Sequence, residues 1–177
     1  MNGLFSDAPI PAEENAREPE MVFYQKTPVR IVLEVVERAG FGADDVLYDL
    51  GSGLGQVPIL ANLLCGVKAL GVEVDPAYVH YSRQCVQDLG IRNVSFVEAD
   101  VRSADLSDGT VFFLYTPFTG VMLQEVMARL QQEAERRSIR IFTYGPCTFE
   151  FFGQKWLQWE NAKGPHTHAL GVFRSRL

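Results

Sequence analysis

The sequence predicts an α/β fold: a three-layer sandwich around a mostly parallel seven-stranded sheet whose last strand runs antiparallel. Short apolar runs alternate with segments of helical period, a glycine-rich turn follows the first run, and a stretch of turn residues joins the last two. Strands alternating with helices require right-handed crossovers, which place helices on both sheet faces. The near-continuous apolar character of the strands agrees with burial on both sides.

Residues 1–22, rich in acids and proline and without periodicity, read as an N-terminal arm, and residues 23–177 as one domain. Thr27 and Pro28 precede Val29, Val32, Leu33, Val36 and Ala39 at helical spacing, then Gly40; this predicts a helix over 28–39 with Thr27 as cap and Pro28 in its first position. Strands follow at 46–50, 69–74, 94–98, 110–115 and 139–144, separated by helices at 56–65, 76–89 and 121–137. The runs 155–160 and 169–175, joined by the turn-rich stretch 161–168, form an antiparallel hairpin. Trp156 and Trp159, three apart in such a strand, are expected on opposite faces.

At 177 residues and 47% hydrophobic, the chain is long enough to bury one core without disulfides or metals. Sixteen basic against 22 acidic residues give a net charge of −6, a field that repels phosphate backbones and anionic membranes, so general nucleic-acid binding is disfavoured. The densest basic cluster, Arg136, Arg137 and Arg140, reads as the cationic end of a helix. Three widely spaced cysteines suit a reduced compartment, with Cys65 and Cys85 expected in the core. The chain shows no signal-length or membrane-length apolar run and reads as cytoplasmic.

The segment from Val46 to Val57 carries most of the functional information. Gly51, Gly53 and Gly55 end a strand and open a helix, letting the backbone turn tightly and a ligand approach without meeting a Cβ. A tight turn with no ligand is the plain alternative. Three carboxylates favour a ligand. Asp49 precedes the first glycine, where it would repel a pyrophosphate and hold an ammonium group. Glu73 ends the second strand 22 residues after Gly51, at the spacing from which an acid reaches two ribose hydroxyls. Asp100 follows the third strand, placed to accept from an exocyclic amine such as adenine N6. Singly each could cap a helix or be solvated. Together they describe a ligand with an ammonium end, a ribose and an adenine but no phosphate, which is what S-adenosylmethionine offers.

These residues resemble class I methyltransferases dependent on S-adenosylmethionine. Asp49-Leu-Gly-Ser-Gly-Leu-Gly55 is similar to their first motif, Gly71-Val-Glu-Val-Asp75 to the second and Glu98-Ala-Asp100 to the third, and an antiparallel seventh strand belongs to the same fold. Tyr24-Gln-Lys-Thr-Pro28 together with Asp49 to Gln56 resembles the non-SET lysine methyltransferases related to disruptor of telomeric silencing, and small protein-lysine methyltransferases of bacteria and mitochondria. The resemblance implies that Tyr24 and Thr27 contact the methionine end. It further implies a cofactor site of Asp49, Gly51, Ser52, Gly53, Gly55, Gln56, Glu73, Val74, Asp100, Val101 and Tyr115.

Tyr115-Thr-Pro-Phe118 falls where amino-directed methyltransferases carry Asn or Asp, then Pro-Pro and an aromatic residue. The aromatic wall and one proline match, while the amide or acid is missing. Tyr115 and Phe118 are the catalytic candidates: the phenol to orient an incoming amine, the phenyl ring as a cation-binding face. The alternative makes Tyr115 a core residue and Phe118 a wall of the cofactor pocket. Cys147 has no partner base in the sequence. His166 and His168 lack a third ligand and read as solvated, so no metal is expected.

The expected activity is methyl transfer to an amine, a protein lysine, with a basic protein or a small molecule as acceptor. A cofactor-binding protein without catalysis and a small-molecule methyltransferase are the alternatives. A nicotinamide dehydrogenase is opposed by Asp49 ahead of the glycines. Any side chain at Gly53 is expected to stand in the cofactor's path.

Overall fold

The computed structural model describes residues 10–12 and 18–176. The described elements are α1 (Val29–Ala39), β1 (Val46–Leu50), α2 (Gln56–Cys65), β2 (Lys68–Glu73), α3 (Pro76–Asp88), β3 (Val94–Glu98), β4 (Val111–Tyr115), α4 (Gly120–Ala134), β5 (Arg140–Tyr144), α5 (Cys147–Phe152), β6 (Leu157–Trp159) and β7 (Gly171–Ser175). The seven strands form one sheet in the order β3-β2-β1-β4-β5-β7-β6. β1 to β5 are parallel, and β7 inserts antiparallel between β5 and β6. The chain order reverses between β1 and β4, so the carboxyl ends of these strands flank the crevice where open α/β sheets bind ligands.

Alternation along the strands sends side chains into two cores. Leu47, Val111, Phe113 and Phe142 face α1, α2 and α3, whereas Tyr48, Leu50, Phe112, Leu114 and Ile141 face α4 and α5. The α1 stripe Ile31, Val32, Val35 and Ala39 is buried, and Gly40 ends the helix in a left-handed conformation with its N–H on the Val36 carbonyl at 3.2 Å. Each fully buried Leu, Ile or Phe in these cores contributes ~1.5–3 kcal/mol of transfer free energy.

Several expectations change. Pro28 is the cap position of α1, with no side-chain cap, and Thr27 is instead buried outside the helix. Asp75, the last residue of the second motif, is buried and caps α3, its carboxylate accepting from the Ala77 and Tyr78 N–H groups at 2.9 and 3.3 Å. Cys65 is exposed, while Cys85 and Cys147 are buried. The six-residue α5, absent from the expected elements, follows the β5 turn. Lys155 and Trp156 lie in a turn before β6, so the two-residue alternation does not reach them, and both tryptophans lean on the α4/α5 core. Trp159 sits 4.9 Å from Phe173 and 5.3 Å from Phe152.

The basic cluster is spent on structure. α4 ends before it, Arg137 donates to the Leu106 and Gly109 carbonyls and pairs with Glu133, and Arg140 pairs with Asp45 at 2.8 Å. No described helix is long and apolar enough to cross a membrane.

Candidate active site

The β1–α2 turn is built on glycines because its backbone requires them: φ is 82° at Gly51, 51° at Gly53 and 74° at Gly55, values that L side chains rarely adopt. The Gly51 and Ser52 N–H groups both donate to the Val72 carbonyl, at 2.9 and 3.0 Å, which ties the turn to the end of β2. Gly55 caps α2 and is not among the residues that line the pocket. A Cβ there would collide with the Phe96 ring and with Ser82 Oγ at 2.8 Å, and one at Gly71 would meet Phe96 at 2.5 Å. These two glycines make a nest for Phe96. A Cβ at Gly53 would overlap the Tyr24 ring, which already fills the space this glycine leaves.

Asp49 and Glu73 meet in the pocket beneath this turn. Asp49 is 4% exposed, and among the described residues its carboxylate accepts no hydrogen bond. Burial first, and then the charge of Glu73, pushes its pKa well above the usual carboxylate range. Glu73 accepts from the Gly53 N–H at 2.8 Å on one oxygen and from the Val74 and Asp75 N–H groups at 2.9 and 3.0 Å on the other. Three of its roughly four lone-pair positions are thereby filled. It retains acceptor capacity for one hydroxyl, not two. Burial is the largest influence on Glu73 and raises its pKa in spite of those donors.

The segment ahead of α1 closes the other side. The Val22 N–H donates to the Pro117 carbonyl at 3.1 Å, the Thr119 N–H to the Glu20 carbonyl at 2.9 Å, and Met21 bridges antiparallel to Phe118. Glu20 caps α4 from a hundred residues away in sequence: its carboxylate accepts from the Val121 and Met122 N–H groups at 3.1 and 2.7 Å. Those two bonds hold its pKa below the usual range. Tyr24 stands edge-on to Tyr78, with ring centroids 5.7 Å apart, and its phenol is pushed up to about 12 by burial and by the charge of Asp49. The Thr27 carbonyl accepts from Gln56 Nε2 at 2.8 Å, while Gln56 Oε1 is buried without a partner.

Past β4 the chain carries the positive φ (37°) that Thr116 takes without being glycine. Its hydroxyl donates to the Tyr144 carbonyl at 3.0 Å and accepts from the Cys147 N–H at 3.2 Å. Tyr115 lines the pocket with its ring 4.7 Å from that of Tyr144; burial and Tyr144 raise its pKa, so it remains a neutral phenol. Phe118 is 5% exposed and forms pocket wall. Cys147 is buried, and burial raises its thiol pKa.

The expected positions from Tyr24 to Phe118 thus converge on one cavity, Gly55 excepted. Sequence reasoning missed Glu20, Thr116 and Arg102. Arg102 binds Asp100 through both side-chain oxygens, with its Nη2 at 2.6 Å from Asp100 Oδ2. Its place two residues after a carboxylate was the available signal. His166 and His168 lie 5.7 Å apart, and no group of three potential metal ligands gathers among the described residues.

The donor set suits the polar groups of S-adenosylmethionine. A buried carboxylate without a partner suits the α-ammonium, a backbone-held carboxylate with spare acceptor capacity suits a ribose hydroxyl, and the apolar wall of Val72, Val101 and Met122 suits a purine. These groups fit the cofactor.

The family described as histone methylation protein DOT1 matches residues 19–132. A protein-lysine N-methyltransferase of Saccharolobus islandicus (strain REY15A) is 31% identical over 94 residues, covering 52% of this chain and 58% of that protein. A protein of Sulfolobus acidocaldarius described as a probable cobalt-precorrin-6B C(15)-methyltransferase (decarboxylating) is 36% identical over 93 residues, 51% of this chain and 47% of that one. The chain therefore aligns with about half the length of the curated relatives it matches. Among solved structures, an RNA methyltransferase from Salinibacter ruber in complex with S-adenosyl-L-homocysteine superposes with a TM-score of 0.65 at 27% identity, covering 85% of this chain and 92% of that one. An Aquifex aeolicus methyltransferase gives 0.63 at 17% identity over 84% and 93%, a likeness of fold. The chain belongs to the DOT1 histone methylation protein family and has the class I methyltransferase fold.

Proposed function

We propose that the protein transfers a methyl group from S-adenosylmethionine to an amine, and that the amine is a protein lysine. One observation carries the reading: a single cavity is bounded by the partnerless Asp49 carboxylate on one side and by the Tyr115–Phe118 wall on the other. The similarity to a named protein-lysine N-methyltransferase and the net charge of −6 support a basic protein as acceptor.

When bound, the cofactor supplies an electrophilic methyl on a sulfonium, a leaving group that needs no acid. The residues of the chain bind, orient and exclude water. Asp49 holds the ammonium group, and Gln56 Oε1 offers a second acceptor nearby. Glu73 takes one ribose hydroxyl while its backbone bonds fix the carboxylate. Tyr24 and Thr27 cover the methionine end, and Val74 and Val101 line the nucleoside end. The neutral phenol of Tyr115 accepts an N–H of the incoming amine and aims the nitrogen lone pair at the methyl carbon. Phe118, Pro117 and Met21 keep water out, which also favours the uncharged amine. The methylated nitrogen would release its proton to solvent.

Calorimetry with S-adenosylhomocysteine and labelling of a cell lysate with tritiated S-adenosylmethionine test the proposal. The product is expected to bind, label is expected in lysine after hydrolysis, and Glu73→Ala is expected to weaken binding by ~1–3 kcal/mol. Binding without label in protein, RNA or small molecules would favour the non-catalytic alternative. Label in RNA would overturn the lysine assignment.

A further inference from the structure

Five carboxylates line the cavity, those of Glu18, Asp49, Glu73, Asp75 and Asp100, and among the described residues no lysine, arginine or histidine does. Four of the five are compensated. Glu18 and Asp100 each pair with Arg102 at 2.6 Å, Asp75 caps α3, and Glu73 accepts from three backbone N–H groups. Asp49, among the described residues, has neither a cation nor a donor. In register it stands opposite Gly71, which has no side chain to offer, and Glu73, two residues further along β2, projects from the same sheet face. The titratable groups that line the cavity with it from the other elements are the phenols of Tyr24, Tyr78 and Tyr115, and none of them brings a positive charge. A carboxyl group so placed keeps a proton in preference to a charge, the direction in which burial and then the charge of Glu73 drive it.

We infer that Asp49 takes up the cofactor by exchange: the proton it holds before binding leaves as the ligand's ammonium group arrives, and this residue thereby discriminates, to a degree set by pH, against nucleoside thioethers without the amino group. The inference rests on the assignment of the cavity to S-adenosylmethionine. The carboxylic O–H bond breaks, its electron pair stays on the oxygen, the proton goes to solvent, and the carboxylate then accepts from the ammonium N–H. Below the raised pKa of Asp49 each ammonium bound costs one proton released, so affinity rises about tenfold per pH unit; above that value the carboxylate is already ionised and the slope vanishes. A ligand without the amino group gains nothing from the ionised form, and its affinity does not rise with pH.

The test is calorimetry on the full chain with S-adenosylhomocysteine and with methylthioadenosine, in buffers of different ionisation enthalpy from about pH 5.5 to about pH 8. The wild type is expected to release up to one proton per S-adenosylhomocysteine bound, most at the acid end, and to bind that ligand more tightly as pH rises. Methylthioadenosine, which keeps the nucleoside and the thioether but not the amino group, is expected to bind without proton release. Asp49→Asn, which fits the same space without a charge, is expected to bind S-adenosylhomocysteine about tenfold more weakly at the alkaline end, with no proton released and no slope against pH. Its affinity for methylthioadenosine should match that of the wild type, which also shows that the pocket is formed. Binding of S-adenosylhomocysteine to the wild type without proton release across the range would overturn the inference. So would release that persists in Asp49→Asn, because the proton would then belong to Glu73. A wild-type protein that binds no S-adenosylhomocysteine would instead overturn the site assignment on which the inference stands.

Discussion

At the β1–α2 turn the positive φ values fall on three glycines, whereas at the β4–α4 turn a φ of 37° falls on Thr116, a β-branched residue before a proline. The first turn takes its positive φ values without a steric penalty. The second costs ~1–3 kcal/mol in backbone strain and is kept by its neighbours. Thr116 is tied to the Tyr144 carbonyl and the Cys147 N–H, and Gly145 lacks the Cβ that would stand 2.5 Å from the Thr116 hydroxyl. In the proposed assignment, the cofactor wall takes its turn conformation from its own glycines and the acceptor wall takes its own from contact between distant segments. Under the proposed function, strain concentrated beside Tyr115 suits a wall that aims one group.

The sharpest way to break this contrast is Gly53→Val. The substitution forces a β-branched residue to a φ of 51° and drives its Cβ into Tyr24, so S-adenosylhomocysteine binding should be lost in calorimetry. Gly53→Ala with Tyr24→Ala should recover part of it, because the overlap is then gone while the φ cost remains. Thr116→Val strips the hydroxyl and leaves the Cys147 N–H and the Tyr144 carbonyl short of a partner, a loss of ~1–3 kcal/mol measurable by urea denaturation. Thr116→Ser should stay within ~1 kcal/mol of wild type. If Thr116→Val is as stable as Thr116→Ser, the cross-tie is not what holds the turn.

A smaller effect separates the two walls by pH. The folded-state pKa of Asp49 is raised, so the folded chain holds a proton that the unfolded chain releases, and stability falls as pH rises from the usual carboxylate range through the raised value. Melting followed against pH should show that slope in the wild type, flattened in Asp49→Asn. Smallest is Glu20→Gln. The pKa of Glu20 is lowered by its bonds to the first turn of α4, so its contribution exists above the normal glutamate range and fades as pH falls through the lowered value. The melting difference between wild type and Glu20→Gln should therefore shrink on acidification.

What could be read from the sequence follows the same division. The glycine turn, the strands, Asp49 and Glu73 announce themselves through local rules of conformation and spacing. Gly40 marks its helix end for the same reason. Glu20 capping α4 and Phe96 filling the space at Gly55 and Gly71 are long-range, and no short window of sequence contains both partners, whereas Arg102 meets Asp100 from only two residues away. Thr27 and Pro28 illustrate a local rule overruled: the threonine is drawn into the Gln56 contact and leaves the capping position to the proline. The α5 turn was too short for periodicity to register, and it sits where Thr116 needs the Cys147 N–H.

The Phe96 nest bears on how such sequences diverge. A chain that had ceased to use its cofactor would still need Gly55 and Gly71, because both are held by an aromatic ring of the same molecule. Their presence in a distant homologue would report an intact core and say nothing of activity. Asp49 behaves in the opposite way: buried without a partner, it burdens the empty protein, so it should be among the first positions to drift to a neutral residue once binding no longer matters. Between two otherwise similar chains, that one position would separate a working enzyme from a relic of one.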